Sequence, residues 1–493
     1  MTNLEDLRRS RGARMAHKFA RFFISLPGRL VRGLLTLVSW IGAFFKKIGS
    51  EIADIVQTFV HGDWKTRVSY VVMGFGSFAR GQYLRGILFF LFQLVFNLYI
   101  LFFGGSYLAK LGTLGTVQTT TKNRVTTYGD NSFLILLYGI LTIFFIIAFI
   151  YTWRVNIKQN KISEQILKSG KKLQSAKDDL GAMADSQFHK TLLALPMLGI
   201  FMFTVLPIIF MVLVAFTNYD YSHQPPGKLF TWVGLSNFKT MLSVGGANFG
   251  STFSQVLLWT LIWAFFATFL NYFLGMMVAI MINKRGIKLK KMWRTILVMT
   301  IAIPQFVSLL YVSKMFAADG LINTYLLKWG WIDKALPFWT DGTWARITII
   351  VINIWIGIPY LMLIATGILM NIPADLYESA RIDGANAMQT YAKITLPYML
   401  FVTGPYLLTS FIGNINNFNV IFLLSGGGPL SMELAGNAGY TDLLITWLYK
   451  MTVNDTNYKL AAVIGIIVFI ITAVINLTVY NLIPSVRNEE DFQ

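Results

Sequence analysis

The sequence predicts an all-α polytopic membrane protein with about eight transmembrane helices, and three observations lead there. Hydrophobic residues make up 55% of the 493 positions and charged residues only 13%, against about a quarter charged in an ordinary soluble domain. Apolar runs of roughly 20 residues, the length that crosses a bilayer, recur along the chain. Lys and Arg gather in alternate intervals between those runs, as the positive-inside rule requires.

Taken in order, residues 1–85 form a basic N-terminal region carrying Arg8, Arg9, Arg11, Arg14, Lys18, Arg21, Arg29 and Arg32. Within it, residues 19–48 mix Phe, Leu, Ile and Trp with Arg and Lys, a pattern for an amphipathic helix or two on the inner leaflet. The basic stretch is too long for a cleaved signal peptide, and no Ala-x-Ala-type site follows it. Residues 67–85 read as an interfacial entry to the first span. Spans are expected near 86–104 and 132–153, a pair of extra helices within 86–153. A cytoplasmic linker over 154–190 follows, with Arg154, Lys158, Lys161, Lys168, Lys171, Lys172 and Lys177. Six further spans near 191–217, 253–283, 295–315, 346–370, 398–424 and 459–483 make a core over 191–485, and 486–493 is a cytoplasmic tail. Lys284 to Lys291 supply the third basic interval. Both termini, and the loop between spans six and seven, are therefore expected in the cytoplasm.

Several function classes are excluded. The spans are almost free of ionisable residues, Lys314 at the end of the fifth being the nearest exception. Carriers coupled to protons or sodium need such groups near the midplane. The segment Ser169-Gly170-Lys171-Lys172 lacks the upstream Gly and following Ser/Thr of a phosphate-cradling loop. The chain has no Cys and four scattered His, so no metal cluster, thiolate chemistry or Ser/His/Asp arrangement is apparent. The net charge of +19 reads as topology, not as a nucleic-acid surface. No catalytic residue and no cofactor are expected in this chain.

The loop Asn371 to Pro397 is distinctive. Pro373 suits a first helical turn, and Asp375 and Glu378 favour its positive end. Gly384 should break that helix, and a second, short helix from Ala385 to Ile394 should end at Pro397. Leu376, Ala380 and Asp383 would share one face, with Tyr391, Ile394 and Thr395 together on another. By shape alone this is equally a plain connector between spans.

The loop resembles the EAA motif of ABC-importer permeases: Glu378-Ser379-Ala380, then Gly384, then Ile394-Thr395-Leu396-Pro397 at the family spacing. Further likeness runs over residues 190–485. It includes Leu195-Pro196, Ala215 to Asp220 and Val233 to Phe238, and is closest from Ser410 to Pro429 with Asp442, where the sequence is similar to the MalF-type subunit of maltose and maltodextrin importers. The large extracytoplasmic insertion of the Gram-negative form is missing, as in the shorter Gram-positive form. The resemblance implies a type I ABC-importer permease fold in the last six spans. It also implies coupling to a partner ATPase through Glu378, Ser379, Ala380, Asp383, Gly384 and Ala385, by a helix docking in a groove. ATP and Mg would be bound by the partner ATPase. The further implied partners are a second, MalG-like permease, an ATPase dimer, an extracytoplasmic sugar-binding protein and an oligosaccharide, maltodextrin first, then a galacto-oligosaccharide, polyuronide or polyol.

The same resemblance places Asn353, Gly357 and Tyr360, and Ser410, Asn414 and Asn417, on the translocation path. Each trio is spaced i, i+4, i+7, hence one helical face. Amides and hydroxyls that both donate and accept, an aromatic ring to stack on and a glycine for close approach suit a sugar. Small polar residues also glue membrane helices together, so both readings stand. A stand-alone channel or carrier, and a membrane scaffold that transports nothing, are the rivals from other classes.

Overall fold

The computed structural model describes residues 39–40, 42–243, 248–284 and 286–480. The basic stretch before residue 39, Arg285 and the tail lie outside those residues, as does most of the expected amphipathic segment over 19–48. Among the described residues, seven helices are long and apolar enough to cross a membrane: α1 Tyr83–Lys110, α2 Ser132–Lys168, α3 Phe188–Val214, α4 Phe249–Asn283, α7 Gly342–Leu369, α9 Ala387–Ile415 and α12 Tyr458–Tyr480. Between α4 and α7 lie α5, Lys290–Ala302, and α6, Gln305–Met315, which meet at 92° and raise the number to eight if counted as one span. Of the shorter helices, three bear on the site: α8 Ala374–Ile382, α10 Phe418–Ser425 and α11 Leu444–Val453. The polytopic all-α expectation holds.

Two expectations about single spans are corrected. The fifth span is broken: Ile303 and Pro304 are extended and Pro304 caps α6, because a proline cannot donate into the preceding turn. The seventh begins earlier than expected and is interrupted after Ile415, where Asn416 closes α9 and Asn417 opens α10. One small element went unread: an antiparallel hairpin of β1, Thr120–Lys122, and β2, Val125–Thr127. Asn123 and Arg124 have positive φ at its turn, the geometry that tight hairpins favour.

The chain divides into two compact units, residues 1–109 with 138–201, and 110–137 with 202–493. The first is organised around Arg80, whose side chain is 1% exposed. Its guanidinium donates to Asp63, Thr66 and Asn160 at 2.6 Å each. Asn156 accepts from the Gly74 amide. Gly74 has φ +83° and sits against the backbone of Gly86, where a Cβ would lie 2.1 Å from the Gly86 carbonyl oxygen. Rings of Phe96 and Phe149 stack at 3.9 Å between α1 and α2.

In the second unit one apolar cluster joins α4, α6, α7 and α10 through Trp259, Trp263, Leu309, Ile349, Ile352, Val420 and Ile421. Another joins α4, α7 and α9 through Tyr272, Met276, Met362, Met399 and Leu407. α4 and α7 pack so closely at Gly275 that a Cβ there would lie 2.6 Å from the Leu361 Cβ, the small-residue contact typical of membrane helices.

Beyond α10 the chain turns through Gly426 and Gly427, both with positive φ. Asp442, fully buried, holds that turn: it accepts from the Gly439 amide, the Thr446 hydroxyl and Lys450 Nζ at 2.6–2.8 Å. A Cβ at Gly427 would fall 1.9 Å from its Oδ1. Removing one member of a buried ion pair strands the other, at a cost of about 3–5 kcal/mol. Asp442→Asn should therefore lower the thermal midpoint of the solubilised protein markedly, by far more than exposed substitutions do, and a loss under about 1 kcal/mol would deny the pair this role.

The interval between α1 and α2 carries a pH-sensitive anchor. Asp130 accepts from Lys110 Nζ at 2.6 Å and from the Thr116 and Val117 amides. The Lys110 bond, then the two amides, hold its pKa down at about 2. A depressed carboxylate contributes fully above its unfolded value of about 4 and loses that contribution as pH falls through the folded one. Hydrogen-exchange protection of Thr116 and Val117 should fall between about pH 4 and pH 2, and Asp130→Asn should abolish that pH dependence.

Candidate functional site

The second unit holds a cavity of about 410 Å³ where α4, the α5/α6 break, α7 and α9 converge, within the size range of small-molecule sites. None of the eighteen residues lining it is Asp, Glu, Lys, Arg or His. All six residues expected on a path line it: Asn353, Gly357 and Tyr360 from α7, Ser410 and Asn414 from α9, and Asn417.

Their arrangement departs from the expectation in two ways. Ser410, Asn414 and Asn417 do not share one helix. Asn417 lies past the end of α9 and is the N-cap of α10, its Oδ1 accepting from the Val420 amide at 3.3 Å. It reaches the cavity because the chain bends there. Its Nδ2 donates to Asn414 Oδ1 at 3.1 Å, and Asn414 Nδ2 donates to Thr268 Oγ1 on α4 at 2.9 Å. These two asparagines thus tie helices together and line the cavity at once. Gly357 also has a neighbour that the spacing did not reveal: a Cβ there would lie 2.5 Å from Asn271 Nδ2. Its missing side chain admits a protein amide.

Other groups complete the lining. Among the described residues, the side chain of Asn353, 92% buried by its 8% exposure, forms no hydrogen bond, so its amide is available to the cavity. Trp355, Tyr360 and Tyr406 supply aromatic surface, and Thr300, Gln305 and Ser308 supply polar atoms from the α5/α6 break. Pro359 within α7 removes the amide that would bond the Trp355 carbonyl. α4 carries a π-helical turn, Phe266–Leu270, beside the cavity; such turns often sit at functional positions. Thr268 on that turn and Asn271 just after it were missed in the sequence, because one polar residue in an apolar run forms no pattern.

The second feature is α8 and the turn after it. Gly384 has φ +74°, the Ala385 amide bonds the Ala380 carbonyl at 2.8 Å and the Gly384 amide bonds the Arg381 carbonyl at 3.0 Å. Together these form a Schellman helix end, in which glycine takes the left-handed position. Ala380 is buried, and Tyr377 bonds Thr395 across to α9 at 3.1 Å. Glu378, Ser379, Asp383 and Gly384 are exposed and Ala385 half-buried. Leu376, Ile382 and Met388 expose apolar surface.

The second helix of this loop is not short and does not end at Pro397. Asn386 caps it reciprocally with Gln389, and it runs through a π-helical turn, Tyr391–Thr395, into the full length of α9. The wider turn accommodates the proline ring and its missing amide. Leu376 and Asp383 do not share the buried face of Ala380.

Asn417→Ala should cost about 1 kcal/mol by removing the α10 cap, read as a lower thermal midpoint. Asn417→Ser, which keeps a capping oxygen, should recover most of it; equal losses in both would show that the cap contributes nothing.

A family described as binding-protein-dependent transport system inner membrane component matches residues 271–488. The chain is 34% identical over 425 residues to the maltodextrin transport system permease protein MalC of Streptococcus pneumoniae, covering 84% of this chain and 95% of that one. It is 34% identical over 429 residues to the galactooligosaccharides transport system permease protein GanP of Bacillus subtilis, covering 85% and 97%. To the maltose/maltodextrin permease MalF of Klebsiella aerogenes it is 34% identical over 259 residues, covering 51% of this chain and 49% of that one. Among solved structures it is similar to a chain of a bacterial alginate ABC transporter in complex with an alginate pentasaccharide-bound periplasmic protein. There the identity is 21% and the TM-score 0.50, over 62% of this chain and 97% of that one; this is a likeness of fold.

Proposed function

The chain belongs to the binding-protein-dependent inner-membrane permease family, and from that premise we propose that it forms the membrane path of an ATP-driven importer for neutral oligosaccharides, maltodextrins first. The observation that carries this reading is the cavity itself: uncharged, about 410 Å³, lined by amides, hydroxyls and aromatic rings. Such groups match a sugar, which both donates and accepts and offers an apolar face to stack. No cation is present there to meet a carboxylate, which disfavours a polyuronide. A galacto-oligosaccharide is the second reading, supported by the equal identity of the galactooligosaccharide permease.

Energy enters from outside the chain in this reading. α8 carries Glu378, Ser379, Ala380, Asp383, Gly384 and Ala385 toward a partner ATPase dimer, which binds ATP and Mg, while this chain catalyses nothing. The exposed Leu376, Ile382 and Met388 would meet its groove as an amphipathic helix does. α8 is joined to α9 both covalently and through Tyr377 and Thr395, so a push on it is delivered to the helix bearing Ser410 and Asn414. A second permease subunit and an extracytoplasmic binding protein complete the assembly.

The chain is a multi-pass membrane protein. Its basic intervals support cytoplasmic termini, and its likeness over 84–85% of the chain to permeases of Streptococcus and Bacillus supports the cell membrane of a Gram-positive bacterium. We assign residues 191–485 as the permease core, with the coupling loop at 374–397, and 86–153 as two additional spans.

The test is sugar-stimulated ATP hydrolysis by the assembled importer in lipid nanodiscs, with its binding protein and a panel of sugars. Maltodextrins should stimulate hydrolysis. Gly384→Pro, which cannot adopt φ +74°, should abolish sugar stimulation, measured on complexes that retain the ATPase on purification. Stimulation by another sugar alone would discard maltodextrin, and indifference both to every sugar and to Gly384→Pro would discard the coupling.

A further inference from the structure

Asn271 is 4% exposed and sits on α4 immediately after the π-helical turn. Its Nδ2 forks between two backbone carbonyls, Ala267 on its own helix at 3.0 Å and Asn353 on α7 at 3.4 Å. With carbonyls on that side, the amide orientation is determined: only the nitrogen can face them. Its Oδ1 is buried with no hydrogen-bond partner.

Leaving a buried acceptor unpaired costs about 1–3 kcal/mol, and an apolar side chain of the same size would avoid it. Breaches of local rules of this kind gather where function outweighs stability. The fork also tells α7 where to sit. The amide reaches the Asn353 carbonyl only because residue 357 has no Cβ, which would lie 2.5 Å from Nδ2. Any neighbouring residue of α7 brought to that place by a slide or rotation would put a side chain on the amide. The same π-helical turn holds the opposite wall through Thr268 and Asn414.

We propose that Asn271 is a positioning residue for the sugar site. Through its fork across Gly357 it sets the register and rotation of α7, and so aims the free Asn353 amide and the Tyr360 ring into the cavity. This rests on the reading of that cavity as a sugar path.

The test is maltotriose binding to the assembled importer without its binding protein, by saturation-transfer NMR titration, with a thermal midpoint for each variant. Asn271→Asp keeps the size but replaces the forked Nδ2, which reaches both carbonyls, by a carboxyl that can donate to one carbonyl at most. It should weaken maltotriose binding by about three- to tenfold, the worth of one net hydrogen bond. Gly357→Ala should weaken binding and lower the midpoint. The double variant Asn271→Ala/Gly357→Ala has room for the new methyl group, so its midpoint should rise above that of Gly357→Ala while binding stays weak. If Asn271→Asp and Asn271→Ala lower the midpoint but leave maltotriose affinity within about twofold of the unaltered importer, Asn271 is packing alone and the proposal is overturned. If the unaltered importer shows no sugar binding, the path reading itself falls and this proposal with it, an outcome distinct from a loss confined to the variants.

Discussion

The structure depends on one constraint. Inside hydrocarbon, backbone polar groups have no water to turn to, so irregular backbone at membrane depth survives only where protein or a cavity satisfies it. In the second unit three departures from regular helix meet at one place: the π-helical turn of α4, the α5/α6 break at Ile303 and Pro304, and the α9/α10 bend. They bring Ala267, Ile303, Pro304 and Asn417 to the same cavity. The cavity is a place where the chain can carry such breaks, and the polar side chains of the helices around them complete its lining.

That clustering explains what was legible in the sequence. The spans were readable because length and apolar composition are summed over some twenty residues and tolerate local error. Asn353, Gly357 and Tyr360 were readable as a face because α7 stays helical through them. Asn417 was placed beside the cavity for the wrong local reason, since the periodicity assumed a helix that stops two residues earlier. The end of a helix at Pro397 was a fair inference from proline chemistry, and failed because a π-helical turn relieves the clash before it arises. Asn271 and Thr268 were invisible for a different reason. Their partners lie 82 and 146 residues away, and nothing local marks such pairings.

The coupling loop shows the opposite case, a feature whose geometry follows from its residues. A glycine at the left-handed position closes a helix with two backbone bonds and points the next segment away. Gly384 does this with open space around the place of its missing Cβ, so its requirement is one of backbone conformation and not of packing. The glycine at 357 is needed for the reverse reason, since its helix is regular and the space is occupied by Asn271. Two glycines in one proposed mechanism thus answer to different physics, and substitutions at them should not be read alike.

The asparagines tie helices together and line the cavity at once, so glue and the proposed path do not exclude each other. Asn414 and Asn417 each use one N–H and the oxygen within the protein, yet an amide nitrogen carries a second hydrogen and its oxygen a second lone pair. A half-committed amide is held in place by the bond it has already made, and offers a passing hydroxyl one further bond instead of several. Asn353, whose carbonyl accepts from Asn271, leaves its own side-chain amide free on α7. On the proposed reading, a wall built this way would orient a sugar without gripping it, which is what a path must do if the substrate is to leave.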